Sequence, residues 1–280
     1  MATRIYYNTV VYPNGSSAPV SPAYSADWEK TSQADRYWCS PTLQNSAFVT
    51  KASTDAVVTS PYDVLNRQYV SDPIVAQTIT GTVKGQLLCY ESNAAADFCR
   101  AMVIKVVSND GITLRGTLLS EFPVALTSEY SAVALTNRYF PPALTALTPV
   151  ICLDGDRLVI EIGTRSFNTV ATTYTINQRF GDSSVSDLPE DETDVNDYNP
   201  WIEFSMDIDF IDKLKVSQVV SQVEDQIPPK LKVSQVVAQP EWQAPPKLKV
   251  SQLIAQVEGV WTEAPTSTYP GWYSSYGGWT

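Results

Sequence analysis

The side chains best placed to do chemistry in this chain are carboxylates, and they are concentrated in one segment. Within FGDSSVSDLPEDETDVNDYNP, Asp182, Asp187, Glu190, Asp191, Glu192, Asp194 and Asp197 follow one another with no basic residue between them. Carboxylates this close repel, and a hard cation such as Ca²⁺, which takes about six to eight oxygen ligands, would relieve that repulsion. Asp187, Glu190, Asp191 and Asp194 are the first candidate ligands, with Ca²⁺ as the possible cofactor. The spacing does not match an EF-hand loop, because Gly and the terminal Glu are not at the required offsets. A solvated acidic loop is the alternative. Paired carboxylates also cleave glycosidic bonds when they stand about 5 to 10 Å apart in a cleft. Nothing in the sequence singles out such a pair.

The chain has 280 residues and no histidine. It can therefore hold no Ser-His-Asp or Cys-His nucleophile system and no histidine-ligated catalytic zinc. It also has no Gly-rich phosphate loop, no GxSxG and no heptad run. The expectation is a protein that is not an enzyme. Its formal net charge of −11, from 19 basic and 30 acidic residues, argues against nucleic acid as a partner. Affinity for a polyanion comes largely from clustered Lys and Arg that displace counterions.

The elements that must position these carboxylates read as β from Met1 to about Phe210. In TITGTVKGQLLCY, Ile79, Val83, Leu87 and Cys89 fall on one face and Thr78, Thr80, Thr82, Lys84 and Gln86 on the other, the period of a half-buried strand. RAMVIKVVS and ITLRGTLL follow, joined by the turn signal Asn109-Asp110-Gly111, with Ile112, Leu114 and Leu118 expected on one side. Together these three runs predict a meander. RLVIEIG follows the turn Asp154-Gly155-Asp156. WIEFSMDIDF sets Ile202, Phe204, Met206, Ile208 and Phe210 opposite Glu203, Ser205, Asp207 and Asp209. Residues 91–102 read as a short helix or an ordered loop. The predicted fold class is all-β: an antiparallel β-sandwich of jelly-roll type over residues 1–211, followed by an extended β-repeat tail.

The tail begins with KLKVSQVVSQVEDQIPP at residue 213, repeats as KLKVSQVVAQPEWQAPP from 230, and starts a third time with KLKVSQLIAQVEGVWTE at 247. Residues 212–263 thus hold three units of 17 residues. An aromatic Gly, Ser, Tyr and Trp-rich peptide occupies 264–280. One short strand per unit cannot bury its own apolar surface, so the partners must come from elsewhere. Leu214, Val216, Val219, Leu231, Val233, Leu248 and Val250 recur at fixed offsets and are the candidate assembly residues; a flexible spacer is the alternative. Six lysines balance six acids from Ile211 to Thr280, so the net negative charge belongs to the residues before them.

Cys39, Cys89, Cys99 and Cys152 form no CxxC pair, which disfavours structural zinc and thioredoxin-like chemistry. Cys89 and Cys99 could face each other across a hairpin, but buried thiols are the preferred reading. The start, MATRIYYNTVVYPNG, lacks the apolar run of a secretory signal, and no 18-residue apolar stretch occurs. The expectation is a protein made in a cytoplasm, with no membrane partner. Trp28, Tyr37, Trp38, Trp201, Trp272 and Trp279 could stack on sugar rings; for the first four, core packing is the commoner fate.

Several segments carry a resemblance together: DWEKTSQADRY, RQYVSDPIVAQTITGTVKGQ with ESNAAADF, VVSNDGITLRGTLL, DGDRLVIEIGTRSFNTV and DLPEDETDVNDYNPWIEFS. They resemble a family of virion structural proteins of tailed bacteriophages and phage-like metagenomic sequences, over most of residues 20–205. The VSQ repeats resemble C-terminal segments of phage structural proteins. The resemblance implies a non-enzymatic particle component, such as a head decoration, head fibre or tail-associated protein located in the virion. Its partners would be other virion proteins and copies of itself, as a homo-oligomer such as a trimer. It brings no catalytic or ligand residue with it. A carbohydrate- or receptor-binding module acting on a host-surface glycan is the alternative.

Overall fold

The computed structural model describes residues 2–44, 49–55, 60–126, 129–132, 134–169, 172–181, 186–196 and 198–211. Every regular element among them is a strand: β1 Thr3–Tyr7, β2 Asp35–Ser40, β3 Val49–Asp55, β4 Tyr62–Pro73, β5 Gln77–Ile79, β6 Thr82–Glu91, β7 Phe98–Val107, β8 Leu114–Glu121, β9 Thr136–Tyr139, β10 Thr145–Ala146, β11 Val150–Cys152, β12 Arg157–Ser166, β13 Tyr174–Phe180 and β14 Trp201–Phe204. The two tail segments, 212–263 and 264–280, and all seven candidate assembly residues lie outside the described residues.

One large sheet runs in the order β3-β13-β6-β14-β1-β2-β4-β12-β7-β8, with β9 and β10 on β6, while β5 and β11 form a separate pair. Named neighbours are antiparallel except β2 and β4, which run parallel. The sheet curls into a nearly closed wall. Strands close to opposite ends of the path line the same core: Leu87 and Cys89 of β6 and Phe180 of β13 pack in one cluster with Phe98 and Met102 of β7 and Leu118 of β8. A buried Asn66 on β4 donates to Gln178 Oε1 on β13 at 2.9 Å, although five strand steps separate them along the sheet. Removing a side chain such as Phe98 from water contributes about 1.5–3 kcal/mol, and this core holds many of that size.

β4 and β12 are buried on both faces. Leu158, Ile160 and Ile162 enter the main core, while Val159 meets Ala18, Val70 and Val107 on the outer side. Farther along, Trp28 covers Leu65, Ala101 and Val103. The long segment between β1 and β2 therefore serves as an outer layer over the sheet. A strand covered on both faces reads as a nearly continuous apolar run; RLVIEIG approximates one, whereas VLNRQYV buries Asn66, Arg67 and Gln68 among its apolar residues.

The predicted meander is corrected. β7 and β8 form a hairpin at the expected turn, where Gly111 has φ +79° and donates to Ser108 O at 2.8 Å. β6, however, pairs with β13, β14, β9 and β10 and not with β7. Residues 92–97 cross from β6 to β7 as a loop without pairing the two strands, so the helical alternative does not form. The face expected for Ile112, Leu114 and Leu118 is also broken. Leu118 is buried but Ile112 and Leu114 are exposed: Ile112 lies in the turn before β8, and a register shift between Leu114 and Gly116 changes which side the residues beyond it face. On WIEFSMDIDF the regular strand stops at Phe204, where Ser205 turns to pair with Thr82 and the chain moves on to bridge Ile74 through Phe210. Ile208 still reaches the core. No disulfide joins the four cysteines, all of which are buried.

Candidate functional site

The acidic segment folds onto the outer side of β1, β14 and β6, and its carboxylates go to separate partners. Asp187 takes Arg4 at 2.6 Å and the Tyr6 hydroxyl at 3.0 Å. Glu190 takes Lys84 at 2.7 Å, and Glu192 lies 3.9 Å from Arg138. Asp191 Oδ1 accepts from the backbone N–H groups of Thr193 and Asp194, each at 3.0 Å, and from Asn137 Nδ2 at 3.3 Å. Asp194 Oδ1 accepts from Asn196 N at 2.6 Å. Asp182 and Asp197 lie outside the described residues. The four candidate Ca²⁺ ligands therefore do not converge. Among the described residues no group of three or more His, Cys, Asp or Glu is arranged to hold a metal ion.

Cations from distant strands supply the relief that the segment itself lacks. Arg4 of β1 and Lys84 of β6 both reach Glu203 of β14, at 2.8 Å and 3.3 Å, and the Arg4 guanidinium lies 4.0 Å from the centre of the Trp201 ring. Register places them there, since Arg4 pairs with Glu203 across β1–β14 and Lys84 pairs with it across β6–β14. The hydrogen bond to Glu190, joined by the Glu203 contact, holds the Lys84 pKa above its ordinary value. Each half-exposed pair contributes about 0–1 kcal/mol; together they fasten the loop. The Asp191 pKa is lowered by the two backbone N–H groups that its carboxylate caps.

A second polar cluster lies buried beneath the outer segment. Glu161 of β12 is fully buried and accepts from Lys105 Nζ at 2.6 Å, Trp28 Nε1 at 2.7 Å, Gln68 Nε2 at 2.9 Å and Ser25 N at 3.1 Å. Lys105 also donates to Ala23 O at 2.8 Å. Every group facing the carboxylate is a donor. This cluster pins residues 23–28 to the sheet and leaves Glu161 no open side for a ligand.

A third cluster pairs two carboxyl groups. Glu91, at the end of β6, is buried; its Oε2 accepts from Phe98 N at 3.1 Å, and its Oε1 has no hydrogen-bond donor. Glu129 stands within side-chain hydrogen-bonding reach, and Asp97 lies nearby with φ +53°. Burial, then the charges of Glu129 and Asp97, raise the Glu91 pKa to about 8. Sequence reasoning missed this pair because 38 positions separate Glu91 from Glu129 and neither sits in a charged run. Only the bridges from Glu91 to Ala132 and from Cys99 to Glu129 bring them together.

Trp28, Trp38 and Trp201 are buried and cannot stack on an external sugar ring; their indole N–H groups donate to Glu161, Val10 O and Leu188 O. Tyr37 is partly buried against Arg67, and Trp272 and Trp279 lie outside the described residues.

No protein-family model and no curated protein matches the chain. Among solved structures, a CocE/NonD family hydrolase from Staphylococcus aureus is similar over 76% of this chain and 36% of its own, with 9% identity and a TM-score of 0.39. A second structure of that hydrolase covers 75% of this chain and 35% of its own at 12% identity and TM-score 0.24. A structure of infectious bursal disease virus, Gx strain, covers 65% and 46% at 8% identity and TM-score 0.22. The chain thus spans about a third of the length of the hydrolase chains and under half of the viral one. The expectation that the chain is not an enzyme is withdrawn, because the hydrolases stand first among these structural matches. At these TM-scores the likenesses assign this chain neither an activity nor a partner.

Proposed function

We propose that this chain is a structural component of a bacteriophage particle, a head decoration, head fibre or tail-associated protein, whose C-terminal repeats mediate oligomerisation or docking. The observation that carries this reading is the unit KLKVSQ at Lys213, Lys230 and Lys247, a period of 17 residues, with Pro228-Pro229 and Pro245-Pro246 closing the first two units. Each unit offers about ten extended residues, roughly 33 Å of strand, and proline stops the strand from running on. Identical strands from symmetry-related copies can satisfy one another's backbone groups, which favours a closed homo-oligomer and suits a trimer. Within a unit Leu214 and Val216 share one parity and Val219 the other, so the strand bulges or buries both faces. The same reading takes the domain before the repeats as a jelly-roll sandwich displayed on the particle, and the virion as its location.

The resemblance of residues 20–205 to phage virion proteins supports this proposal. The test is quantitation of the full chain in purified particles, together with deletion of residues 213–280. The truncated protein is expected to stay folded, to be monomeric by light scattering and to be missing from particles. If it still oligomerises and is incorporated normally, the repeats are not the assembly element. Specific binding on a glycan array, with no stoichiometric presence in particles, would replace the proposal by the carbohydrate-binding alternative.

A further inference from the structure

Residues 129–132 lie across the end of β6 and the start of β7, outside the regular ladders. Glu91 N donates to Ser131 O and Tyr130 N donates to Phe98 O, each at 3.0 Å. Tyr130 is buried, and Gln178 Nε2 donates to its hydroxyl at 3.2 Å. Arg138 Nη2 fastens Ser131 Oγ at 2.8 Å. The Glu91 and Glu129 carboxyl groups meet inside this small set of bonds, where Glu91 Oε1 is buried and lacks a donor. Two ionised carboxylates cannot satisfy each other, whereas one proton between them turns the orphaned oxygen and its neighbour into a hydrogen bond.

We propose that Glu91 and Glu129 share a proton and act as a clasp that fastens residues 129–132 to the β6–β7 corner when protonated and loosens them when it is lost. The groups around the pair leave its second negative charge uncompensated. From the 92–97 loop, Asp97 adds a third carboxylate. From β7, Arg100 is turned to Glu121 at 3.3 Å, and from β9, Arg138 is turned to Ser131 and lies 3.9 Å from Glu192. Cys89, Cys99 and Tyr130 are the remaining titratable neighbours; all three are buried, and burial is the chief cause that raises the Cys89 and Tyr130 pKa values and keeps those two neutral. Among the described residues no ion pair reaches Glu91 or Glu129.

The direction of the pH response follows from the raised pKa of Glu91. A folded-state pKa above the unfolded one binds a proton in the native form, so its contribution is complete below the unfolded value and is lost as pH rises through the folded value. The clasp is closed in mildly acidic solution and opens as pH climbs through about 8.

The test is amide hydrogen exchange of the full chain between pH 6 and pH 9.5, corrected for intrinsic exchange, with the side-chain carboxyl ¹³C shifts of Glu91 and Glu129 followed over the same range. Protection at the Glu91 and Tyr130 amides should fall by about tenfold, the effect of one pK unit of coupling, and the Glu91 carboxyl signal should titrate over the same range as the loss of protection. Glu91→Gln should keep protection high at every pH, since its amide donates to Glu129 permanently. If that variant does not fold, Glu129→Gln gives the same readout from the less buried partner. Protection that does not change with pH, a Glu91 carboxyl that titrates at the ordinary value, or the same loss of protection in a folded Gln variant would each overturn the clasp.

Discussion

The ring of Trp28 lies against the Cα of Gly163: a Cβ built there would sit 2.5 Å from Cζ3 and 2.7 Å from Cη2, and would also run into the carbonyl oxygen of Val64. A register shift between Ile162 and Gly163 brings the backbone to this position. The indole that needs the space also donates to Glu161, so one side chain links the outer segment to β12 by packing and by a hydrogen bond. Gly163→Ala should destabilise the protein by about 1–3 kcal/mol or more, the usual cost of overpacking. Urea denaturation followed by tryptophan fluorescence measures this, and a loss below about 0.5 kcal/mol would mean that Trp28 moves aside freely.

Glu161→Gln is expected to be costlier than its small change in shape suggests. The new amide must direct two N–H groups toward Lys105, Trp28, Gln68 and Ser25, all of them donors. Breaking a buried pair in this way costs about 3–5 kcal/mol. Thermal unfolding of Glu161→Gln beside Lys105→Met checks it. Two Tm values close to that of the unmodified protein would show that the cluster does not hold the outer segment down.

For Asp191 the pH dependence has the opposite sign to that of Glu91. Its folded pKa is lowered, so its contribution is present above the ordinary carboxylate value and disappears as pH falls through the lowered one. The Thr193 and Asp194 amide resonances should shift in a single titration below about pH 3.8, the ordinary aspartate value, and Asp191→Ala should abolish it. Titration of these amides at or above that value would contradict the capping geometry.

The thiols should be inert in the native state. Burial pushes the Cys39 and Cys89 pKa values far up and that of Cys152 to about 11, and the thiolate is the reactive form. Alkylation under native conditions is expected to proceed only at the unfolding rate, with complete modification once denaturant is added. Rapid native labelling of Cys152 would show that the short β5–β11 pair opens on its own.

Local periodicity determined a good part of this architecture. Ile79, Val83, Leu87 and Cys89 all reach the core, as their spacing requires, because a strand's alternation is fixed by its own geometry. The hairpin at Asn109-Asp110-Gly111 formed where only a residue tolerant of positive φ fits. The 17-residue repeat is likewise a property of the sequence alone. Tertiary structure decided what depends on partners far away in the chain. The acidic run reads as a site short of positive charge, yet Arg4, Lys84 and Arg138 answer it from β1, β6 and β9, and no local pattern announces a neighbour some 50 to 180 positions away. Glu91 and Glu129 meet for the same reason. A register shift in β7–β8 exposed Leu114, which simple alternation would have buried with Leu118, because one inserted residue exchanges the faces on either side of it. The chain's alternation fixes which side chains turn inward, and only the pairing of distant strands fixes what they meet.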